Sequence, residues 1–462
     1  MTGPQVTRRG LLAAGAAALV LPRAVQAAPA ELRAGVAMAQ IAPAGYPATE
    51  VWAYDGQLPG PTLRAPQGSR FARRFVNGLE VPSSVHWHGI RIDNAMDGVA
   101  GLTQDPVPPG GHFDYDFDLP DAGTYWYHAH TNSMEQVARG LAGALIVNEA
   151  VAPDVDRDEV WVLDDWLVDP DTLQIDPGFG RMMDLSHSGR TGNLVGTNGQ
   201  FGYGIEAMRN ERLRLRLINA ANARIFVLSL DGLDGWVVAL DGMPLAAPER
   251  VGAEVIIAPA QRIDLIVDVT AAPGSDAALL RLDQDGTWQP QVRVSVTGEA
   301  ARTPRPAPAA LPPNSRMAVP GLADARRFEM RMEGGMMGGM RAARYEGQER
   351  DARTLAQRGQ FWALNGTVGR TETPFADLAR GETVRVALIN DTAFPHAMHL
   401  HGMHFREVAG DGTLGPLRDT VLSLPGEPTE IAFVADNPGD WLFHCHMLGH
   451  AASGMTTWVR VS

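Results

Sequence analysis

Alternation with a period of two runs through this chain. Arg212-Leu213-Arg214-Leu215-Arg216-Leu217 places an apolar residue at every second position, and Ile263-Asp264-Leu265-Ile266-Val267-Asp268-Val269 does nearly the same. Successive side chains of an extended chain point to opposite faces, so the pattern predicts β-strands with one face in a core. Gly, Pro, Asn and Asp punctuate the runs, which predicts short antiparallel strands joined by turns and stacked as sandwiches. The longest apolar run is N-terminal, Leu11 to Leu21. As a helix it would span roughly 16 Å, about half a bilayer core.

The strand pattern repeats. Strands ending in Asn77, Asn219 and Asn390 are each followed, nine residues on, by His86-Trp87-His88-Gly89, Leu228-Ser229-Leu230-Asp231 and His399-Leu400-His401-Gly402. The middle copy carries Leu where the others carry His. A second block repeats in the outer copies only: Gly123-Thr124-Tyr125-Trp126-Tyr127-His128-Ala129-His130 matches Gly439-Asp440-Trp441-Leu442-Phe443-His444-Cys445-His446. Repeats of this length mean duplicated domains. The division read from them is 28–150, 151–300 and 323–462, with a Pro-rich linker at 301–322.

Composition narrows the chemistry. The chain has 462 residues and a formal net charge of −14, which argues against nucleic acid as a partner. All 39 basic residues are Arg, which excludes a catalytic lysine and a P-loop. Cys445 is the single cysteine, which excludes an internal disulfide and the usual four-cysteine metal sites. Arg8-Arg9 ahead of the short apolar run, and small residues up to Ala27, read as a removable signal over 1–27, similar to a twin-arginine signal. That predicts export of folded protein to the bacterial periplasm by the twin-arginine machinery, with no stable membrane anchor.

Ten of the 13 histidines fall into one pattern. His86/His88, His128/His130, His399/His401 and His444/His446 are His-x-His pairs. On a strand both members face one side, roughly 6.6 Å apart, and can grip one metal or feed two. Neutral imidazole suits copper, zinc, iron and nickel. His396, Cys445, His450 and Met455 form a second set, two imidazoles with a thiolate and a thioether, the blue-copper electron-transfer arrangement. Cys445 lies between His444 and His446, so covalent bonds join the two sets. His112, His187 and His404 have no pairing and read as structural or surface residues.

These motifs resemble the four copper motifs of multicopper oxidases, and the resemblance covers the whole mature chain. It implies an all-β chain of three cupredoxin-like Greek-key β-sandwich domains in tandem, holding four copper ions. Carried over by position, the type 1 ligands are His396, Cys445, His450 and Met455. The type 2 ligands are His86 and His399, and the type 3 ligands are His88, His128, His130, His401, His444 and His446. The middle domain would space the outer two so that their histidines meet. The family reduces O2 to water, which consumes four protons, and Asp97 occupies a position where related enzymes hold an acid beside the cluster. The copper-efflux subgroup often has a second acid just after the last type 1 histidine; here that residue is Ala451.

The donor is read from Met330, Met332, Met336, Met337 and Met340, five thioethers in a segment, 330–340, interrupted by Gly pairs. An exposed segment of soft ligands favours Cu(I), and its location resembles the longer methionine-rich insert of bacterial periplasmic cuprous oxidases. Asp391, five residues before His396, is a candidate acidic stop for Cu(I). The favoured reading is a periplasmic cuprous oxidase serving copper tolerance. The alternatives are a laccase-like oxidase of small phenols or aromatic amines, and a non-enzymatic copper-binding protein.

Overall fold

The computed structural model describes residues 29–300, 303–314 and 321–462. The signal-like segment 1–27 lies outside them. Each repeat folds as a pair of facing sheets. The first pairs a sheet of Thr49–Tyr54, Ala30–Ala39, Arg70–Asn77 and His112–Asp118 with one of Gly60–Pro66, Ala142–Asn148, Gly123–Ala129 and Val85–His88. The middle and last repeats each stack a six-stranded sheet on a five-stranded one, and the last adds the hairpin Ala342–Tyr345/Gln348–Asp351.

The sheets are mixed rather than wholly antiparallel. In every repeat the first strand runs parallel to the strand that ends in the repeated Asn: Ala30–Ala39 with Arg70–Asn77, Arg157–Trp166 with Arg212–Asn219, and Arg326–Gly334 with Thr383–Asn390. Parallel neighbours need a long crossover, which alternation within one strand cannot reveal.

The repeated Asn has a structural cause. Asn77 Oδ1 accepts from Leu79 N at 3.0 Å while its amide donates to Val81 O and Val107 O at 2.8 and 2.9 Å. Asn219 repeats this with Ala221 N, Arg224 O and Ile257 O, and Asn390 with Thr392 N, Phe394 O and Ser423 O. Each amide ties the turn after its strand to a distant strand and satisfies buried backbone groups there.

The strand Arg212–Asn219 departs from the simple alternation. Leu213, Leu215 and Leu217 enter the sandwich core, yet Arg212, Arg214 and Arg216 are buried too. Arg212 pairs with Asp268 at 2.7 Å, Arg214 with Asp264 at 2.6 Å and Glu149 at 2.7 Å, and Arg216 with Asp158 at 2.6 Å. Arg216 also donates to Thr124 Oγ1 at 2.9 Å. Glu149 and Thr124 belong to the first repeat, so the arginine face is an interface between sandwiches. Buried guanidinium groups persist there because each has carboxylate partners.

Candidate metal centres

Strand register brings the His-x-His pairs together. Val85–His88 and Gly123–Ala129 pair antiparallel with His86 opposite His128; His396–Leu400 and Gly439–Cys445 pair antiparallel with His399 opposite His444. The two sheets then face each other across the boundary between the outer repeats. His88 stacks on His399 with ring centroids 3.8 Å apart, and His86 lies against His401 at 4.0 Å. Trp87, between the two histidines, points the other way into the core against Phe71 and Tyr127.

The structure sorts these residues into groups whose ligand atoms lie within 4.8 Å of one another: His88, His128 and His446; His130, His401 and His444; and His86 and His399 beside His88. The nitrogens are preset. His86 Nδ1 donates to Asp97 O at 2.7 Å, His128 Nδ1 to Ala129 O at 3.0 Å, His399 Nδ1 to Asp419 O at 2.8 Å and His444 Nδ1 to Cys445 O at 2.9 Å. Each bond fixes the tautomer and leaves Nε2 facing inward. His86 Nε2, His88 Nδ1, His399 Nε2 and His446 Nδ1 are buried with no hydrogen-bond partner. Buried nitrogens without partners are costly unless they ligate a metal, so this donor set fits copper. Burial, reinforced by neighbouring imidazoles, holds His88, His128, His130, His401 and His446 well below the usual histidine range and His444 at about 3. These rings are therefore neutral and could take up a metal without releasing a proton.

His396, Cys445 and His450 form the second centre. Cys445 Sγ lies 3.7 Å from His396 Nδ1 and 3.6 Å from His450 Nδ1. The outer nitrogens are anchored: His396 Nε2 is 2.8 Å from Thr392 Oγ1, and His450 Nε2 donates to His187 O at 2.6 Å. Met455 is fully buried, and its main chain bonds both Cys445 and His450. Burial pushes the Cys445 thiol up to about 12, so the metal-free form holds its proton.

Asp97 is fully buried at the histidine cluster. Its Oδ2 is 3.0 Å from His401 Nδ1 and its Oδ1 is 3.3 Å from His86 Nδ1. The turn that aims it needs Gly98, whose φ is +85° and where a Cβ would lie 1.8 Å from Val85 O. A cavity of about 360 Å³ reaches His130 and His444; Arg370 and Ala451 line it, and no carboxylate does among the described residues.

One expectation fails locally. Met330 and Met332 are fully buried on the strand Arg326–Gly334 and do not belong to an exposed loop. Phe328-Glu329-Met330-Arg331-Met332 alternates, and that pattern was the overlooked signal. Met340 is partly buried against Ala343 and Leu355, leaving Met336 and Met337 exposed. Asp391 pairs with Arg331 at the surface, and its neighbour Thr392 is the residue that reaches His396.

Sequence reasoning missed several contributors. Met336 N donates to Ser186 O at 2.9 Å, which sets the loop beside the helix Met182–Ser186, whose Met182 and Met183 are also exposed. His187 acts through its main-chain oxygen, which no side-chain motif can announce. Asp419 touches His88 at 3.2 Å and forms a bidentate pair with Arg262. Burial alone would raise its carboxyl; Arg262 and His88 instead hold it well below the usual range.

Comparison with known proteins agrees with this geometry. Family models described as multicopper oxidase match residues 35–151, 158–277 and 345–462. Multicopper oxidase MmcO of Mycobacterium tuberculosis is 30% identical, over 89% of this chain and 83% of its own. A copper resistance protein A homolog of Pseudomonas syringae pv. tomato is 26% identical, over 88% of both chains. The crystal structure of Lac15 from a marine microbial metagenome is 42% identical with a TM-score of 0.76, covering 94% of this chain and 100% of that one.

Proposed function

Because this chain belongs to the multicopper oxidase family, we propose that it couples oxidation of Cu(I) to Cu(II) to the four-electron reduction of O2 to water. His396, Cys445, His450 and Met455 hold the type 1 copper, and His86 and His399 the type 2. His88, His128 and His446 hold one type 3 ion, and His130, His401 and His444 the other. Copper in these sites supplies one-electron redox chemistry at the thiolate centre and O2 reduction at the histidine cluster.

The observation that carries the oxidase reading is Cys445 itself: its backbone joins His444 and His446, one in each type 3 triad. The donor centre and the cluster therefore share a covalent path, which a copper store would not need. Asp97, in contact with His86 and His401, is placed to relay protons to the cluster. Cu(I) as donor is supported by four exposed thioethers, Met182 at 52%, Met183 at 59%, Met336 at 57% and Met337 at 75% exposure, next to the His187 carbonyl that anchors His450. Soft sulfur ligands favour Cu(I). The name of the Pseudomonas syringae relative is consistent with a role in copper tolerance. Periplasmic export through the twin-arginine route rests on Arg8 and Arg9; no helix among the described residues is long and apolar enough to cross a membrane.

Steady-state oxidation of Cu(I) and of a phenol by copper-loaded protein tests the donor. Replacing Met182, Met183, Met336 and Met337 together with Leu keeps the bulk and removes the thioethers. KM for Cu(I) should rise about tenfold or more while kcat and phenol oxidation hold. Equal loss on both donors would make the patch structural, and no change on either would favour phenols or aromatic amines as natural donors.

A further inference from the structure

The facing His-x-His pairs are clamped by two carboxylates in a crossed arrangement. Asp97, from the first repeat, touches His86 of its own repeat and His401 of the last. Asp419, from the last repeat, touches His399 of its own repeat through its main-chain oxygen at 2.8 Å and its Oδ1 at 3.5 Å. It touches His88 of the first at 3.2 Å. Each carboxylate thus holds one facing pair of rings, the tilted His86/His401 or the stacked His88/His399.

The two acids differ in what stands behind them. Among the described residues Asp97 contacts no arginine, and its Oδ1 lacks a hydrogen-bond partner. Asp419 is locked. Arg262 of the middle repeat reaches it with Nη1–Oδ1 at 2.9 Å and Nη2–Oδ2 at 2.5 Å, and Thr420 Oγ1 donates to Oδ1 at 2.8 Å. Arg262 is fully buried and held in turn by Thr124 O, Ala260 O and Asp241, whose Oδ1 accepts from Arg262 N at 2.9 Å. Gly89, next to His88, leaves the room: a Cβ there would fall 2.3 Å from Arg262 Nη2 and 2.7 Å from Asp419 Oδ2. A bidentate guanidinium fixes a carboxylate in both position and plane.

We propose that Asp419, locked by Arg262, is a positioning residue for type 2 copper and for the type 3 ion held by His88, so that the ligand-free middle domain sets the geometry of the cluster. His88 offers Nδ1 to the metal, in contrast to the Nε2 of His86 and His399, because Asp419 engages its Nε2. The carboxylate also supplies a fixed negative charge beside the site, with His404 Nε2 3.8 Å away on its far oxygen. The proposal rests on the copper assignment above.

The test uses copper-loaded full chain and three variants: Asp419→Asn, Arg262→Lys, and the charge-balanced double variant Asp419→Asn/Arg262→Gln. Readouts are copper retention against a competing chelator, the electron paramagnetic resonance signal of type 2 copper, the visible type 1 band and the thermal midpoint. Asn at 419 keeps an acceptor but loses the fixed charge and the fork to Arg262, which should weaken retention of cluster copper about 10- to 100-fold with the type 1 band unchanged. Arg262→Lys keeps the charge and loses the fork, so a shifted type 2 signal in a stable protein is expected. Asp419→Asn strands a buried guanidinium and should lower the midpoint; the double variant should recover it without recovering cluster copper. Recovery of both would make the pair purely structural and overturn the proposal, as would a wild-type signal in Arg262→Lys. Wild-type protein lacking type 2 copper would instead overturn the copper assignment.

Discussion

Replacing Asp97 with Asn tests the proposed proton relay because the structure leaves little else to change. The main-chain oxygen of residue 97 holds His86 Nδ1 at 2.7 Å whatever the side chain is. His401 Nδ1 is 3.0 Å from Oδ2, a position the Asn carbonyl can occupy. The side chain is fully buried and Asn has the same volume, so copper binding and stability should change little. What disappears is the carboxylate between the rings of His86 and His401. Each O2 reduced needs four protons, and among the described residues the cavity at His130 and His444 is lined by no carboxylate that could replace it. General acid catalysis contributes about 10²- to 10⁴-fold. With water as substitute we expect the low end, a loss of about 10²-fold, or roughly 2.7 kcal/mol in barrier height. The assay separates two steps. Anaerobic mixing with donor follows bleaching of the type 1 band, which should proceed at the wild-type rate. Oxygen uptake at saturating donor should fall by the full factor. Wild-type rates for both would return Asp97 to the role of a turn residue before Gly98, and parallel slowing with lost copper would make it a ligand support only.

Three further outcomes follow from the sequence and the structure. Cys445→Ser should abolish the blue colour while leaving most cluster copper, because the serine hydroxyl cannot supply the thiolate; a variant that stays blue refutes the type 1 assignment. Asp164 is buried, and burial followed by the neighbouring Asp165 holds its carboxyl well above the usual range. Its folded pKa therefore exceeds the unfolded one, so its contribution is fully present only below the unfolded value of about 3.9 and is lost as pH rises. Asp164→Asn should raise the melting midpoint at neutral pH by a few degrees, and calorimetry should show that gain vanishing toward pH about 4. Changing Arg8 and Arg9 to Lys should stop export of folded protein, and unchanged periplasmic yield would point to the general secretory route.

Much of the site was legible in one dimension because a strand has a strict period. His-x-His on an extended chain puts two imidazoles on one face whatever surrounds it, and the repeated Asn announces the turn that launches each such strand. Met330 and Met332 were legible too, since they share a face with Phe328, but the glycines that follow drew the reading toward a loop. The arginines at 212, 214 and 216 carry no sign of burial in their own strand; only the carboxylates of other segments make it affordable.

The sequence by itself determined the number and kind of candidate metal-ligating side chains, the sandwich class, and the covalent link through Cys445, because those depend on residue identity and local backbone period. Tertiary structure alone decided which histidine meets which. His88 faces His399 and His86 faces His401 because two separate sheets approach across a domain boundary, and that approach splits six rings into two triads. It also recruited groups with no motif: the His187 carbonyl, Thr392, and Asp419 with Arg262 behind it. Asp419 is 157 residues from Arg262 and 331 from His88 along the chain, so their contact exists only once all three sandwiches have closed on one another.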